Sequence, residues 1–214
     1  MAFVGKKFPN ISVNAMNDMG DTFKLNVLEE AQKNNKKVVL FWYPKDFTFV
    51  CPTELHAFQA ALGEFEKRNT IVIGASCDTP EVHFAWLSTD KDNGGIEGVT
   101  YPILADSNRN LSSVLGILDI QNEVYDEETE TVQVEGDNVT YRATYIIDEE
   151  GVVQHESINN MPLGRNVGEY LRLVDALTHV QEKGEVCPAN WEEGKEAMSA
   201  NRDGVASYLS AHAN

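Results

Sequence analysis

The sequence predicts an α/β fold: a mixed central sheet with helices on both faces, followed by a C-terminal arm. Three observations carry that expectation: two apolar, β-rich runs, helical periodicity between and after them, and a late pair of strand-like segments around a glycine turn. Val38-Val-Leu-Phe-Trp-Tyr43, set between Lys36-Lys37 and Pro44, suits a central strand covered on both faces. Leu55, Phe58, Leu62 and Phe65 then recur at helical spacing, which predicts an amphipathic helix to about Lys67. Residues 70–76 form a second buried strand, and Asp78-Thr-Pro-Glu81 supplies the cap and first-turn proline of a helix running to about Thr89. Residues 141–147 and 152–157 flank Asp148-Glu-Glu-Gly151, a hairpin turn closing on glycine. Val167, Tyr170, Leu171, Val174, Leu177 and Gln181 trace one face of a long helix that stops at Lys183-Gly184. The expected division is a main domain over residues 1–183 and an arm of short helices and loops over residues 184–214.

A chain of 214 residues allows one sizeable domain plus an extension, and 42% hydrophobic with 24% charged residues is ordinary globular material. Seventeen Lys and Arg stand against 34 Asp and Glu, a formal net charge of −17. Such a surface repels phosphate backbones and anionic lipid, so neither nucleic acid nor a membrane is expected as a partner. The start, Met1-Ala-Phe-Val-Gly-Lys-Lys-Phe-Pro, has no apolar core of signal-peptide length, and no run of transmembrane length follows; a cytoplasmic protein is expected. Residues 119–137 carry eight acidic residues and no Lys or Arg, which reads as a solvated loop or surface hairpin rather than a binding element.

Three cysteines, Cys51, Cys77 and Cys187, are too few and odd in number for a secreted disulfide scaffold. In a reducing compartment a lone cysteine is by default a small buried hydrophobe, and Cys77, following a buried strand, fits that description. Cys51 does not. It falls between the loop Pro44-Lys-Asp-Phe-Thr48-Phe-Val and a helix, where free backbone N–H groups and the positive end of the helix dipole favour the nucleophilic thiolate. Thr48 is three residues earlier, within reach of the sulfur or a bound oxygen, and Pro44 removes a donor and can shield the site from water. Cys187 has no nucleophile signature of its own, because Gly184 and Pro188 place it in a loop.

The segment Phe41-Trp-Tyr-Pro44-Lys-Asp-Phe-Thr48-Phe-Val-Cys51-Pro-Thr-Glu54 resembles the active-site segment of the peroxiredoxins. The likeness is to the typical two-cysteine branch, which includes the peroxidase component of alkyl hydroperoxide reductase. Gly184-Glu-Val-Cys187-Pro-Ala-Asn-Trp191, Tyr141-Arg142-Ala-Thr-Tyr-Ile-Ile-Asp148, His83-Phe-Ala-Trp86 and Met161-Pro-Leu-Gly-Arg165 are similar to further family segments, over about residues 8–209. The resemblance implies a thioredoxin-like fold and a thiol peroxidase acting on hydrogen peroxide and organic hydroperoxides. It makes Cys51 the peroxidatic cysteine, with Thr48 orienting the peroxide and Pro44 shielding the pocket. Arg142 would hold the thiolate and polarise the O–O bond, as a forked cation beside sulfur can. Glu54 would position a second arginine, with Arg165 the candidate. Cys187 would be the resolving cysteine, forming a disulfide with Cys51 between the two protomers of an antiparallel homodimer, five of which make a ring. Regeneration would need a dithiol reductant, either thioredoxin or a dedicated flavoprotein reductase. No cofactor or metal is implied for the chain itself.

Two departures from the family pattern matter. The acidic stretch 119–137 is longer than the family usually has before the arginine strand. The Gly-Gly-Leu-Gly and Tyr-Phe motifs of oxidation-sensitive members stand here as Gly94-Gly95-Ile96-Glu97 and Tyr208-Leu209, which predicts resistance to overoxidation. A thioredoxin-type disulfide oxidoreductase is the rival enzyme, but Cys51-Pro-Thr-Glu54 has glutamate where its second thiol belongs. Paired metal-ligand spacing is missing from the cysteines and histidines. A holdase chaperone role is compatible as a second activity.

Overall fold

The computed structural model describes residues 2–120 and 122–212. The elements run β1 (Ser12–Met16), β2 (Thr22–Asn26), α1 (Val27–Asn34), β3 (Lys37–Trp42), α2 (Cys51–Ala60), α3 (Leu62–Lys67), β4 (Thr70–Ser76) and α4 (Pro80–Leu87). They continue with β5 (Ile103–Ala105), α5 (Asn110–Leu115), β6 (Asn122–Asp126), β7 (Thr131–Glu135), β8 (Arg142–Ile147), β9 (Val153–Asn159), α6 (Val167–Lys183) and α7 (Arg202–His212).

Seven strands form one mixed sheet in the order β2-β1-β5-β4-β3-β8-β9, the expected architecture. β3, β4 and β5 are parallel neighbours, so each step needs a crossover, and α2 with α3, then α4, supply them. β3 sits near the middle of the sheet with all six residues buried, which is what an unbroken apolar run requires. Leu40, Trp42, Ile73, Ala75, Leu104, Tyr145 and Ile147 share its core. Phe41 stacks on Phe58 of α2 at 4.0 Å between centroids, fixing that helix against the sheet.

Local chemistry accounts for the boundaries. The amphipathic segment after Cys51 is two helices rather than one, because the chain breaks at Ala61 (φ −93°, ψ 0°). Thr79, not Asp78, is the N-cap of α4, and it makes no side-chain capping bond. The Asp78 carboxylate is drawn elsewhere, accepting from Ser76 Oγ (2.7 Å) and the Asp46 amide (2.9 Å). Between β8 and β9 the turn closes as predicted: Asp148 Oδ1 accepts from the Glu150 and Val152 amides, and Gly151 takes φ +82° with Leu28 lying where a Cβ would project. β6 and β7 pair in register Asn122↔Glu135 to Asp126↔Thr131, so the acidic stretch is the surface hairpin expected of it.

The chain divides into two compact units, Met1–Arg165 and Asn166–Asn214. The division lies ahead of α6, whereas the sequence places the boundary behind it at residue 183. In the second unit α6 is tied to the arm: Arg172 Nη1 donates to Trp191 O (3.3 Å), and His179 packs on the Trp191 ring at 5.0 Å. An isolated bridge joins Val186 to Met198. Among the described residues no helix is long and apolar enough to cross a membrane.

Candidate active site

Cys51 is the first residue of α2 and is fully buried. Among the described residues, two side chains reach its sulfur. Thr48 Oγ1 lies 2.9 Å from Sγ and 2.8 Å from Lys45 O, and Arg142 Nη1 lies 3.4 Å from Sγ. The threonine has one hydroxyl proton and two acceptors in range, so it serves the sulfur or the carbonyl, not both. Arg142 is the first residue of β8, and its position follows from the register of β3 with β8, which pairs Phe41 with Thr144. Its Nε donates to Met161 O at 2.7 Å, which fixes the guanidinium plane.

Behind the sulfur is a buried charge cluster. Glu54, one turn along α2 from Cys51, accepts from Arg142 Nη1 (2.7 Å) and bidentately from Arg165 Nε (2.9 Å) and Nη2 (2.8 Å). Arg165 also donates to Ala143 O and lies over the Phe41 ring, 5.1 Å from its centroid. The three charged side chains are all at most 4% exposed. Burial alone would raise the Glu54 carboxyl, but the guanidiniums of Arg165 and Arg142 outweigh it and hold the group below the usual carboxylate range. Two buried cations against one carboxylate leave one positive charge over, and that surplus faces the Cys51 sulfur.

The loop is pinned from beneath. Asp46 is buried and accepts from Tyr43 OH (2.8 Å), while His83 Nδ1 lies 2.7 Å from its other oxygen. His83 Nε2 is 3.2 Å from Leu104 O, so both ring nitrogens lie within hydrogen-bond distance of an oxygen. Sequence reasoning misses this anchor: His83 enters it only as part of a family-like segment, and the carboxylate that holds it lies 37 residues away.

A cavity of about 300 Å³ opens over the site. Pro44, Thr48, Val50 and Arg142 line it, together with Met161 and Pro162. Cys51 is not in its wall; the sulfur is reached through Thr48 and Arg142. The structure thus brings together Pro44, Thr48, Cys51, Glu54, Arg142 and Arg165. Cys187 belongs to the second unit, half-buried, with Sγ 3.7 Å from Ala176 O of α6. Burial pushes its thiol up, Glu185 adding to the effect and Arg172 opposing it. Cys77 is buried beside Ser112 and its thiol is pushed up to about 11 by burial, which leaves it inert at neutral pH.

Residues 4–156 match the AhpC/TSA family, and residues 176–211 match the C-terminal domain of 1-Cys peroxiredoxin. The chain is 41% identical to alkyl hydroperoxide reductase C of Helicobacter pylori over 193 residues, 90% of this chain and 87% of that one. It is 40% identical to peroxiredoxin-2 of Bos taurus over 211 residues, 99% and 96% of the two chains. The reduced crystal structure of the Plasmodium vivax 2-Cys peroxiredoxin superposes with a TM-score of 0.87 at 37% identity, covering 98% of this chain and all of that one.

Proposed function

The chain belongs to the AhpC/TSA family of peroxiredoxins and is a thiol peroxidase, and from that premise we propose that Cys51 is the nucleophile that meets the peroxide. The observation that carries the assignment is the pair of polar groups on one buried sulfur, Thr48 Oγ1 at 2.9 Å and Arg142 Nη1 at 3.4 Å. A thiolate there neutralises the surplus charge of the Arg142–Glu54–Arg165 cluster, so the reactive form is the one the site is built around.

In the proposed reaction the thiolate attacks the distal peroxide oxygen. The S–O bond forms as the O–O bond breaks, and the leaving oxygen takes a proton as water or alcohol, leaving Cys51 as a sulfenic acid. Thr48 accepts the peroxide hydrogen while its own proton rests on Lys45 O. Arg142 donates to the oxygens on which charge develops. Pro44 closes the cavity wall without offering a competing N–H. Glu54 holds both guanidiniums in register. Cys187 of a second protomer then attacks the sulfenic sulfur, expelling water and forming a disulfide between the two chains. A dithiol reductant, thioredoxin or a dedicated flavoprotein reductase, restores both thiols. A homodimer, assembled further into a ring of five, supplies the second protomer, and a cytoplasmic setting suits three free thiols. The resolving arm, residues 184–214, acts in this scheme as a part separate from the peroxidase domain.

The test is peroxide consumption with either reductant system. Cys51→Ser abolishes turnover while Cys77→Ser retains it. Turnover surviving in Cys51→Ser refutes the assignment.

A further inference from the structure

The cavity over Cys51 has one acidic wall. Asp137 lines it beside Lys45, Thr48 and Arg142. Asp137 closes the stretch 119–137, whose other seven carboxylates likewise have no Lys or Arg among them. The base of that hairpin is fastened next to the site. The Asp119 amide donates to Val139 O (2.8 Å), Tyr141 OH donates to Asp119 Oδ1 (2.8 Å), and Arg109 Nε donates to Asn138 O (2.7 Å). The chain that follows Asp137 is therefore anchored beside the mouth.

The charges at the mouth can be followed one by one. Within the proposed site, Arg142 and Arg165 balance Glu54 and the Cys51 thiolate, so the interior is neutral. At the rim Lys45 and Asp137 are both exposed and carry opposite charges. Beyond the rim the acidic hairpin follows. The remaining lining, including Val50, Val139, Met161 and Pro162, is apolar. A peroxide thus meets hydrocarbon walls behind a rim where Asp137 is the one carboxylate in the lining.

We propose that Asp137 is a specificity-determining residue that makes this site favour neutral hydroperoxides over those carrying an anionic group. The inference rests on the reading of Cys51 as the peroxide nucleophile. A carboxylate-bearing substrate must bring its charge up to Asp137, in a cavity open enough that water screens the repulsion but does not cancel it. For two like charges several ångströms apart at a protein surface, the discrimination is about 3–10-fold at low ionic strength. It shrinks once salt brings the Debye length to about 8 Å or less.

The probes are a tertiary-alkyl hydroperoxide with a terminal carboxylate and its methyl ester, identical at the reacting oxygens. The quantity read is the ratio of their kcat/KM values, in which any general effect of a substitution cancels. The wild type favours the ester by about 3–10-fold at low salt. Asp137→Asn brings the ratio close to one, Asp137→Glu keeps the preference, and high salt reduces it in the wild type. Equal ratios in wild type and Asp137→Asn, or a preference lost in Asp137→Glu, overturn the proposal. If turnover of the ester persists in Cys51→Ser, it is the nucleophile assignment that has failed. A Cys51-dependent enzyme indifferent to the carboxylate loses only the filter.

Discussion

Glu54 shows how a single carboxylate can hold a site together without touching the reacting atoms. It is one turn from Cys51 and shares its two oxygens between Arg142 and Arg165, so removing its charge leaves two guanidiniums buried and uncompensated. Breaking a buried pair in this way costs about 3–5 kcal/mol. The sign with pH follows from the carboxyl being held below its usual range. Its stabilisation is complete above the unfolded value of about 4.3 and is lost as pH falls through the lower folded value. Glu54→Gln is therefore much less stable than wild type at neutral pH, and the gap between their urea midpoints closes as pH drops below about 4. A gap that stays constant across that range would mean the cluster contributes through shape rather than charge. Thr48 supplies a second residue-scale prediction. Thr48→Val keeps the volume but loses the hydroxyl, and kcat/KM for peroxide falls by about 10²–10³-fold, as for loss of one preorganised polar contact. Thr48→Ser retains most of the rate.

At the scale of elements, the informative one is α2, which carries Cys51 fully buried at its first position. To meet a second thiol the sulfur must come out, so the start of the helix must open. The segment after α4 holds it shut: His56 Nε2 lies 3.1 Å from Gly95 O, the Thr100 amide donates to Gln59 Oε1 (2.9 Å), and Tyr101 OH donates to Leu55 O (2.8 Å). Gly95 is required there, because a Cβ would fall 1.9 Å from Thr89 O. His56→Ala removes one of these fastenings, and one hydrogen bond of about 1 kcal/mol is worth roughly fivefold in the opening equilibrium. Mass spectrometry of Cys51 during turnover at rising peroxide should then show less sulfinic acid and more disulfide than in wild type. More sulfinic acid in the variant would refute the role of this bond. The wild type itself is expected to resist overoxidation, with Glu97 in place of a glycine and Leu209, 52% exposed, in place of an aromatic ring. Element by element, the sequence shows its long, patterned pieces and hides its short ones. β3, β4 and α6 are readable because burial leaves an unbroken run or a regular stripe. β5 has three residues and β1 and β2 five each, with mixed patterns that carry no period. In the site, Pro44 to Glu54 are contiguous and can be read together. Arg142 and Arg165 lie far along the chain, and only resemblance links them to Cys51.

For the whole molecule, three free thiols and one chain do not suffice for the proposed cycle; two chains do. Peroxide-treated wild type and Cys77→Ser should run as covalent dimers on a non-reducing gel, and neither Cys51→Ser nor Cys187→Ser should. Cys187→Ser should still consume about one peroxide per chain before stalling as sulfenic acid. A dimer that persists in Cys187→Ser and disappears in Cys77→Ser would assign the partner thiol to Cys77 instead. The register between β3 and β8 has a further consequence, for the order in which the protein comes into being. Phe41 pairs with Thr144, so the arginine beside Cys51 arrives only when a strand more than a hundred positions later docks on one made early. Pairings of such long range close late and slowly. On the ribosome there is an interval in which the cysteine has been made and its cation has not. A nascent chain halted before β8 carries the proposed nucleophile without Arg142, so synthesis itself keeps the proposed site incomplete until most of the first unit has emerged.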